Sequence, residues 1–423
     1  MSAPDSRADA PRARSLWRHP GFLRLWAASA VSDVGSQVTM VALPLVAALS
    51  LGATPWQMGL LSAAGSAPIL LVGLFAGVWV DRLPRRPIMV ATDVGRAAIL
   101  LLIPAATLTG SLRMELLYVV ALGTGALGVL FDVAYLSLMP SLVSREELVE
   151  ANGKIETTSA SAQVVGPGLA GALVGTLGAA VAVLVDALSF LVSALFLRGI
   201  RLAERTAPAS GDRPGVMTEI AEGLRTVAAA PVLRVLAGCS ATTNLFGRMF
   251  LAVYVLFMTR DLGLDSLGVG LVFATGGVGA LAGSLVTGPV TRRLGPGATM
   301  IWAQLVFGVT GLAVPLAVLV PRLALPLVVG SEFTQWMAIV VYYVGAVSVR
   351  QALVPDRLRG RVNATMRVVA GGAMPIGALI GGALGGVIGL PLTLVVAELG
   401  LLLGFVVLVL SPVRRLSALP TSA

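Results

Sequence analysis

The chain has 423 residues, 57% of them hydrophobic and 12% charged, and its mean hydropathy is +0.91. A water-soluble core cannot bury so much apolar surface, so this composition excludes an ordinary soluble domain and requires lipid as the solvent for most of the chain. A single cysteine and a single histidine exclude an intrachain disulfide and a four-ligand Cys/His zinc site.

Twelve apolar stretches follow one another along the chain, and each is long enough to cross a membrane as a helix of roughly 20 residues. They cover about 21–49, 57–80, 88–108, 115–139, 155–176, 179–198, 232–258, 267–290, 298–320, 325–349, 368–388 and 391–411. In lipid, backbone polar groups must bond within a helix or a closed barrel, so continuous apolar runs of this length predict helices.

Basic residues are distributed unequally between alternate connections. The two tails and the connections after even-numbered spans hold 25 of the 30 Lys and Arg, whereas the opposite connections hold Arg113, Arg260 and Arg322. This bias predicts that both termini are cytoplasmic, and that the net charge of +9 reflects topology and anionic lipid headgroups, not nucleic acid binding. The polar segment Met1–Arg18 lacks the apolar core of a signal peptide, so we expect span one to remain in the mature protein. The prediction is a multi-pass protein of the cytoplasmic (inner) membrane.

The second half of the chain repeats the first with a constant offset of 211 residues. Identical residues recur at Gly52/Gly263, Gly59/Gly270, Gly77/Gly288, Asn152/Asn363, Gly171/Gly382 and Gly178/Gly389. A duplicated, strongly apolar chain is typical of membrane transporters that rock two similar bundles about a central site. The predicted organisation is a cytoplasmic tail (1–20), a six-helix bundle (21–198), a cytoplasmic linker with an amphipathic helix (199–230), a second six-helix bundle (231–411) and a cytoplasmic tail (412–423).

A charged motif lies at the end of the second span. It comprises Gly77, Asp81, Arg82, Arg85 and Arg86, and it resembles the signature loop of the major facilitator superfamily. In that superfamily the Asp and Arg latch the two halves together on the cytoplasmic side, so the resemblance implies a cytoplasmic gate at these five residues. The second copy of the motif is degenerate, and plain topogenic charge is the alternative interpretation.

Three further segments resemble the enterobactin-exporter and macrolide-efflux branch of that superfamily. They are Phe131–Asn152, Asp186–Phe190 and Val354–Arg361. The resemblance implies an all-α membrane protein with twelve transmembrane helices in two pseudo-symmetric six-helix bundles, the major facilitator fold. Asp132, near the cytoplasmic end of span four, is a candidate either for contact with the gate or for a structural role. The Arg that marks proton antiporters of the superfamily in span four is absent from Leu122–Val133.

Small-residue faces recur in both halves. Gly166, Pro167, Gly171 and Gly175 in span five are similar to the exporters' Gly-Pro motif, with Ala170 in place of one glycine, and further faces lie at Gly377, Gly381 and Gly385, at Gly73 and Gly77, and at Gly279 and Gly283. Glycines four apart let helices approach closely, and a proline removes one backbone donor and bends its helix. The recurrence of these faces favours moving interfaces between the halves; static tight packing is the alternative.

Ionisable side chains within spans cost about 2.5–3.5 kcal/mol on insertion scales and are therefore candidates for a working site. Asp33 and Gln37 lie one turn apart in span one, and the repeat maps them onto Asn244 and Arg248 in span seven. We predict that Asp33 and Arg248 form a carboxylate–guanidinium pair that faces a central cavity and is released by protonation or by substrate. A permanent structural ion pair is the alternative.

Other charged groups in the spans have separate interpretations. Glu332 and Trp336, one turn apart in span ten, suit an amphipathic cation through charge and cation–π attraction. The alternative for this pair is a solvated Glu beside an interfacial Trp. Asp93 and Arg96 are predicted to neutralise each other, and Asp186 is interpreted as structural.

Together these patterns predict a secondary-active exporter of small hydrophobic or amphipathic compounds, driven by proton influx and working by alternating access. The only lysine, Lys154, follows no phosphate loop, so we expect a proton gradient and no cofactor as the energy source. No histidine cluster or nucleophile–base pattern supports an enzyme. The expected partners are a small-molecule substrate, protons and the lipid bilayer, and we expect a monomer. A symporter or facilitator importing a small nutrient and a non-transporting membrane sensor remain as alternatives.

Overall fold

The computed structural model describes residues 16–73, 83–144, 146–201 and 216–418, and this part of the chain is helical with no strand. The main helices are α1 (Pro20–Leu45), α2 (Pro55–Ser66), α3 (Arg85–Leu108), α4 (Met114–Leu142), α5 (Leu148–Leu177), α6 (Ala179–Arg198), α7 (Pro231–Leu256), α8 (Ser266–Leu294), α9 (Pro296–Gly311), α10 (Ala324–Leu353), α11 (Asp356–Val387) and α12 (Leu390–Val409). Short helical pieces at Pro68–Leu71 and Ala313–Leu316 continue the second and ninth spans. The predicted all-α class is confirmed.

Within the described residues, eleven helices are long and apolar enough to cross a membrane. The predicted second span, 57–80, is described only as far as residue 73. Its later part, which includes Gly77, lies outside the described residues, and so do Asp81 and Arg82 of the predicted gate. Several helices extend beyond their apolar stretch: α5 begins at Leu148, whereas hydropathy predicted a span from about 155.

The helix ends are set by local chemistry. His19 precedes α1, and its Nδ1 accepts a hydrogen bond from the backbone N–H of Phe22 at 3.1 Å. At the start of α2, the side chains of Thr54 and Gln57 each accept from the other residue's backbone N–H, which satisfies donors that would otherwise have no partner. Asp265 does the same at α8 by accepting from Gly268 N–H at 2.8 Å.

The 211-residue repeat is visible in the backbone. α1 and α7 both end in a turn of π-helix, at Val46–Ser50 and Phe257–Asp261. The hydrogen bond from Ala53 N–H to Ala47 O has its counterpart from Leu264 N–H to Met258 O, each 2.9 Å. Equivalent local sequence therefore produced equivalent local structure in both halves, including departures from the regular helix.

The two halves meet through equivalent helix pairs. α5 of the first half packs on α8 of the second, and α11 of the second half packs on α2 of the first. Within each half, the first helix packs on the fifth and sixth, as α1 does on α5 and α6 and α7 does on α11 and α12. The interface is therefore pseudo-symmetric, as expected for a duplicated chain.

Two glycine pairs bring the halves into backbone contact. A Cβ added at Gly59 would lie 2.7 Å from the Cα of Gly382, and one added at Gly270 would lie 2.8 Å from the Cα of Gly171. The pairs are related by the repeat, since each member lies 211 residues from a member of the other pair. Only glycine permits such an approach, because any side chain would occupy the space of the facing backbone.

Both glycine pairs lie toward one end of the bundle, which we call the short-loop end; it carries the connections 46–54, 109–113, 178, 257–265, 317–323 and 388–389. A side-chain hydrogen bond also joins the halves there, because Arg260 donates to the carbonyl of Ala53 at 2.8 Å. The opposite end, which carries Leu16–Arg18 and Pro412–Arg415, is called the terminal end. The short-loop end is closed.

Most residues of the other glycine faces have partners within one half, whereas Gly385 also contacts Pro55 of the first half. Gly377 and Gly381 pack on the backbone of α7 at Leu245 and Met249, and Gly166 packs on Gln37 of α1. Gly279 and Gly283 likewise face α10 within the second half. The prediction that all of these faces are moving interfaces between the halves is therefore wrong. In the span-five motif, Gly171 and Gly175 face α8 of the second half, and Gly175 lies against Ser266.

The predicted linker helix is present as Val216–Ala229, while residues 202–215 lie outside the described part of the chain. Glu222 on this helix accepts a hydrogen bond from Arg361 of α11, and Gly223 fits closely against Thr365. The helix is therefore attached to the terminal end of the second half.

The glycine contacts generate a test of closure at the short-loop end. Gly382→Leu should separate the halves, because the new side chain would overlap the backbone at Gly59, and the helices would move toward the roughly 8–10 Å separation of helices with larger side chains. Gly386→Leu is a matched control one turn along α11, because a Cβ there meets nothing within 4 Å. Spin labels on Ser50→Cys and Leu267→Cys in a Cys239→Ser background measure the separation by pulsed spin resonance. An unchanged distance in Gly382→Leu would contradict the interpretation.

Candidate functional site

A cavity of about 480 Å³ lies between the two halves. Its lining comes from α1, α2, α3, α4 and α6 of the first half and from α7, α8 and α10 of the second, with Met40, Met58, Leu61, Phe190, Leu251 and Phe273 among its apolar members. Small hydroxyl side chains such as Ser36, Ser62 and Thr124 are spaced among them. Flexible methionines in such a wall can adapt to ligands of different shape.

A second cavity of about 250 Å³ lies within the second half and shares part of this wall. Arg248, Leu251, Phe273 and Trp336 line both cavities. The two spaces therefore meet at α7, and the side chain of Arg248 is accessible from each of them.

Asp33 lies beside α5, away from both cavities. Its carboxylate accepts a short hydrogen bond from the hydroxyl of Ser159, and no ion pair joins it to Arg248 among the described residues. The prediction of an Asp33–Arg248 pair is therefore wrong for this conformation. Gln37, which also lines neither cavity, instead packs against Gly166.

The charge cluster of the first half is centred on Arg96. Its guanidinium lies 3.3 Å from the carboxylate of Asp93, which confirms the predicted pairing, and Ser193 donates to the same carboxylate at 2.6 Å. The cation also lies over the rings of Phe131 and Phe190, 4.6 and 4.5 Å from their centroids. Burial of this charge is thus compensated from several directions.

Further carboxylates attract Arg96 electrostatically: those of Asp132, Asp186 and Asp33. Asp186, interpreted from the sequence as structural, is buried on α6, accepts from Ser189 at 3.1 Å and lines the central cavity together with Arg96. The sequence analysis did not identify Asp186 and Arg96 as cavity residues. The available signal was their placement inside spans, which is costly for a charge without a role.

Glu332 is the centre of a polar cluster in the second half. One carboxylate oxygen accepts from Trp336 Nε1–H at 2.8 Å and the other accepts from the hydroxyl of Tyr254 at 2.9 Å. Glu332 is 4% exposed, so the alternative of a solvated carboxylate is wrong, and the predicted proximity to Trp336 is present. Both residues line the smaller cavity.

The two predicted residues of α7 also line that cavity. Asn244 donates from its side-chain amide to the carbonyl of Ser240 at 2.9 Å, which leaves its own side-chain oxygen without a described partner. Arg248 forms no hydrogen bond or ion pair with a described residue, and no carboxylate exerts a resolved electrostatic effect on it; burial alone acts on its guanidinium. The second half thus contains a partly buried cation that has no counterion among the described residues.

The predicted gate is described only in part. Arg85 is the first residue of α3, and Arg86 donates to the carbonyls of Leu197 and Arg198, the first at 3.0 Å. A cation at these carbonyls satisfies acceptors at the end of α6 and complements its dipole. Gly77, Asp81 and Arg82 lie outside the described residues, so the latch itself stays a prediction.

At the terminal end, exposed charged residues of the two halves lie near each other. Asp132 on α4 and Arg367 on α11 are both exposed, although they interact electrostatically across the interface. No side-chain ion pair joins the halves at this end within the described residues. The described residues therefore show close contact between the halves at the short-loop end and exposed charged residues at the terminal end. We call the exposed surface at Asp132 and Arg367 the vestibule.

Comparison with known proteins agrees with this architecture. The family model described as transmembrane secretion effector, a major facilitator family, matches residues 13–423. The multidrug efflux pump Tap of Mycolicibacterium fortuitum is 31% identical over 416 residues, covering 94% of this chain and 97% of that protein. The enterobactin exporter EntS of Escherichia coli O1:K1 is 27% identical over 381 residues, covering 88% and 86%.

Solved structures share the fold at low sequence identity. A bacterial homologue of the iron transporter ferroportin in its inward-facing state superposes with a TM-score of 0.72 at 19% identity, covering 94% of this chain and 99% of that chain. The outward-facing state of such a homologue gives 0.56 at 20% identity, covering 92% and 98%. The nucleoside transporter NupG gives 0.74 at 12% identity, covering 92% and 99%.

The Arg96 cluster generates a stability test. Arg96→Met should lower stability substantially, by about 3–5 kcal/mol, because it leaves the carboxylate of Asp93 buried without its cation. Lys154→Met is the control, since its partner Glu150 is largely exposed and such surface pairs contribute about 0–1 kcal/mol. Thermal unfolding in detergent micelles, followed by tryptophan fluorescence, measures both variants. Adding Asp93→Asn to Arg96→Met should recover part of the loss; a stable Arg96→Met single variant would contradict this account.

Proposed function

The chain belongs to the transmembrane secretion effector family of the major facilitator superfamily, and from this membership we propose that it exports small hydrophobic or amphipathic molecules. It is a multi-pass membrane transporter and not an enzyme. We propose in addition the class of substrate, the direction of transport and the source of energy.

The observation that carries the proposal is the apolar cavity between the halves. Its volume of about 480 Å³ falls within the roughly 300–1,000 Å³ of small-molecule sites. Its walls offer methionine, leucine and aromatic surface with few charges, so an apolar or amphipathic ligand loses less hydration on entry than a polar nutrient would. The named activities of Tap and EntS, multidrug efflux and enterobactin export, are compatible with such a cavity.

The difference between the two ends supports alternating access. In this conformation the glycine pairs and the Arg260–Ala53 hydrogen bond join the halves at the short-loop end, while Asp132 and Arg367 at the vestibule are exposed. The excess of Lys and Arg at the terminal end supports a cytoplasmic position for that end. The vestibule would then admit substrate from the cytoplasm, as export requires.

Proton coupling is assigned to Asp33 in this proposal. The half-buried carboxylate accepts from Ser159 on α5, the same helix that contacts α8 at Gly171. Protonation would remove the charge that Ser159 stabilises and so weaken this contact between α1 and α5, and α5 in turn contacts α8 of the other half. Arg96 and Asp132 connect this group electrostatically to the cavity and to the vestibule. We propose that the protein works as a monomer in the cytoplasmic membrane.

Transport in sealed vesicles tests the function. Purified protein is reconstituted into liposomes, a pH gradient is imposed, and a panel of fluorescent apolar and amphipathic compounds is followed across the membrane. Compounds should accumulate against their concentration gradient on the side with the higher proton concentration, because export is exchanged for protons. Accumulation that ignores the pH gradient would remove the antiport proposal, and no transport of any compound would remove the exporter proposal.

The variant Asp33→Asn distinguishes proton coupling from movement of substrate through the protein. The variant should lose gradient-driven accumulation, about tenfold or more in initial rate, while exchange of labelled for unlabelled substrate without a gradient continues, because the amide cannot carry the proton. Glu115→Gln, an exposed carboxylate at the short-loop end, is the control and should transport normally. Full gradient-driven accumulation in Asp33→Asn would exclude Asp33 as the proton carrier.

A further inference from the structure

The guanidinium of Arg248 is the one cavity-lining cation without a counterion in the described part of the chain. Arg96, the other cation of the central cavity, is compensated by Asp93 and two aromatic rings. The ion pairs of the described residues do not include Arg248, and burial alone acts on its charge. A charge held inside a membrane protein in this way is costly unless something else pairs with it.

The carboxylate of the smaller cavity is held by other partners. Glu332 lines the same cavity, but its two oxygens accept from Trp336 and Tyr254. Close packing also holds this cluster in place: a Cβ added at Gly276 of α8 would lie 2.6 Å from Trp336 Cδ1 and 3.2 Å from Glu332 Oε1. The carboxylate is therefore held by neutral donors on both oxygens, whereas the guanidinium of Arg248 has no described partner that an anion would displace.

Aromatic rings surround the same space. The ring centroids of Phe250 and Tyr254 are 4.6 Å apart, and Tyr254 meets Phe273 edge-on at 5.8 Å. All three line the smaller cavity, as do Phe307 and Trp336. Gly247, next to Arg248, leaves open space on α7, since a Cβ there would meet nothing within 4 Å. A planar aromatic body would find stacking partners beside the guanidinium.

We propose that Arg248 binds the anionic group of an amphipathic aromatic substrate, such as a carboxylate or phenolate, whose ring lies among the aromatic side chains of the smaller cavity. This inference rests on the proposed export function and narrows its substrate class to organic anions. Arginine suits the role because its planar guanidinium forms two parallel charge-assisted hydrogen bonds to a carboxylate. The substrate supplies the counterion that the described residues do not.

The test compares three probes of one shape and different charge: 2-naphthoate, 2-naphthamide and 2-naphthylmethylammonium. Isothermal titration calorimetry with the full chain in lipid nanodiscs, corrected with empty nanodiscs, gives each dissociation constant. The carboxylate should bind at least about tenfold more tightly than the amide, about 1.4 kcal/mol, and the ammonium should bind most weakly. Equal affinities for the carboxylate and the amide, tightest binding of the ammonium, or no binding of any probe would overturn the proposal.

Variants assign the preference to one side chain. Arg248→Gln should abolish the advantage of the carboxylate over the amide and leave the affinity for the amide unchanged. Arg248→Lys should keep part of the advantage, because it retains the charge but not the planar fork. Arg322→Gln, an exposed cation at the short-loop end, is the matched control and should leave all three affinities unchanged.

The affinity for 2-naphthamide distinguishes structural damage from loss of the anion site. If Arg248→Gln weakens the amide and the carboxylate equally, the residue supports the cavity and does not read charge, and the proposal fails. If Arg248→Gln does not elute as a single species, the wild-type probe series and Arg248→Lys decide. The binding assay needs no gradient and is therefore independent of the vesicle transport assay. Transport in vesicles that shows no preference for anionic compounds would contradict this inference alone. Charge-selective binding without any transport would contradict the exporter proposal.

Discussion

Backbone contact between glycines of opposite halves is the constraint on which this structure depends. Lipid provides no hydrophobic force that holds two apolar helices together, so close van der Waals contact must supply much of the association. The pairs Gly59–Gly382 and Gly171–Gly270 provide it at one end of the bundle, with the Arg260–Ala53 hydrogen bond beside them. Because these contacts lie toward the short-loop end, they hold the halves together there, whereas Asp132 and Arg367 at the vestibule are exposed.

The symmetric scaffold carries an asymmetric set of charges. In the first half, Asp93 and further carboxylates surround the cation of Arg96. In the second half, Glu332 accepts from neutral donors, and Arg248 has no ion-pair partner among the described residues. The repeat maps Arg248 onto a glutamine, Gln37, which packs against Gly166 outside the cavities. Duplication thus explains the symmetric path through the protein, while substitutions after duplication explain how the two sides of that path differ chemically.

The sequence predicted local features well and distant pairings poorly. Glu332 and Trp336 meet as predicted, and so do Asp93 and Arg96, because three- and four-residue spacing on a helix fixes which side chains are neighbours. Asp33 and Arg248 do not meet, because equal depth on helices related by the repeat says nothing about the distance across the cavity between them. Gly377 and Gly381 were assigned to the wrong interface for a related reason: a small-residue face identifies close packing but not the helix that packs there.

By itself the sequence determined that lipid surrounds most of the chain, that the chain forms helices and that these helices are duplicated. Apolar runs of membrane length leave the backbone no alternative to helices, and the same residues 211 positions apart fold to the same local geometry, down to the π-helical turns at Val46–Ser50 and Phe257–Asp261. Only the tertiary structure decided which glycines join the halves, at which end those glycine pairs lie and which cavity-lining cation lacks a partner among the described residues. Those properties depend on distances between helices far apart in the chain, and such distances arise only when all the helices pack together.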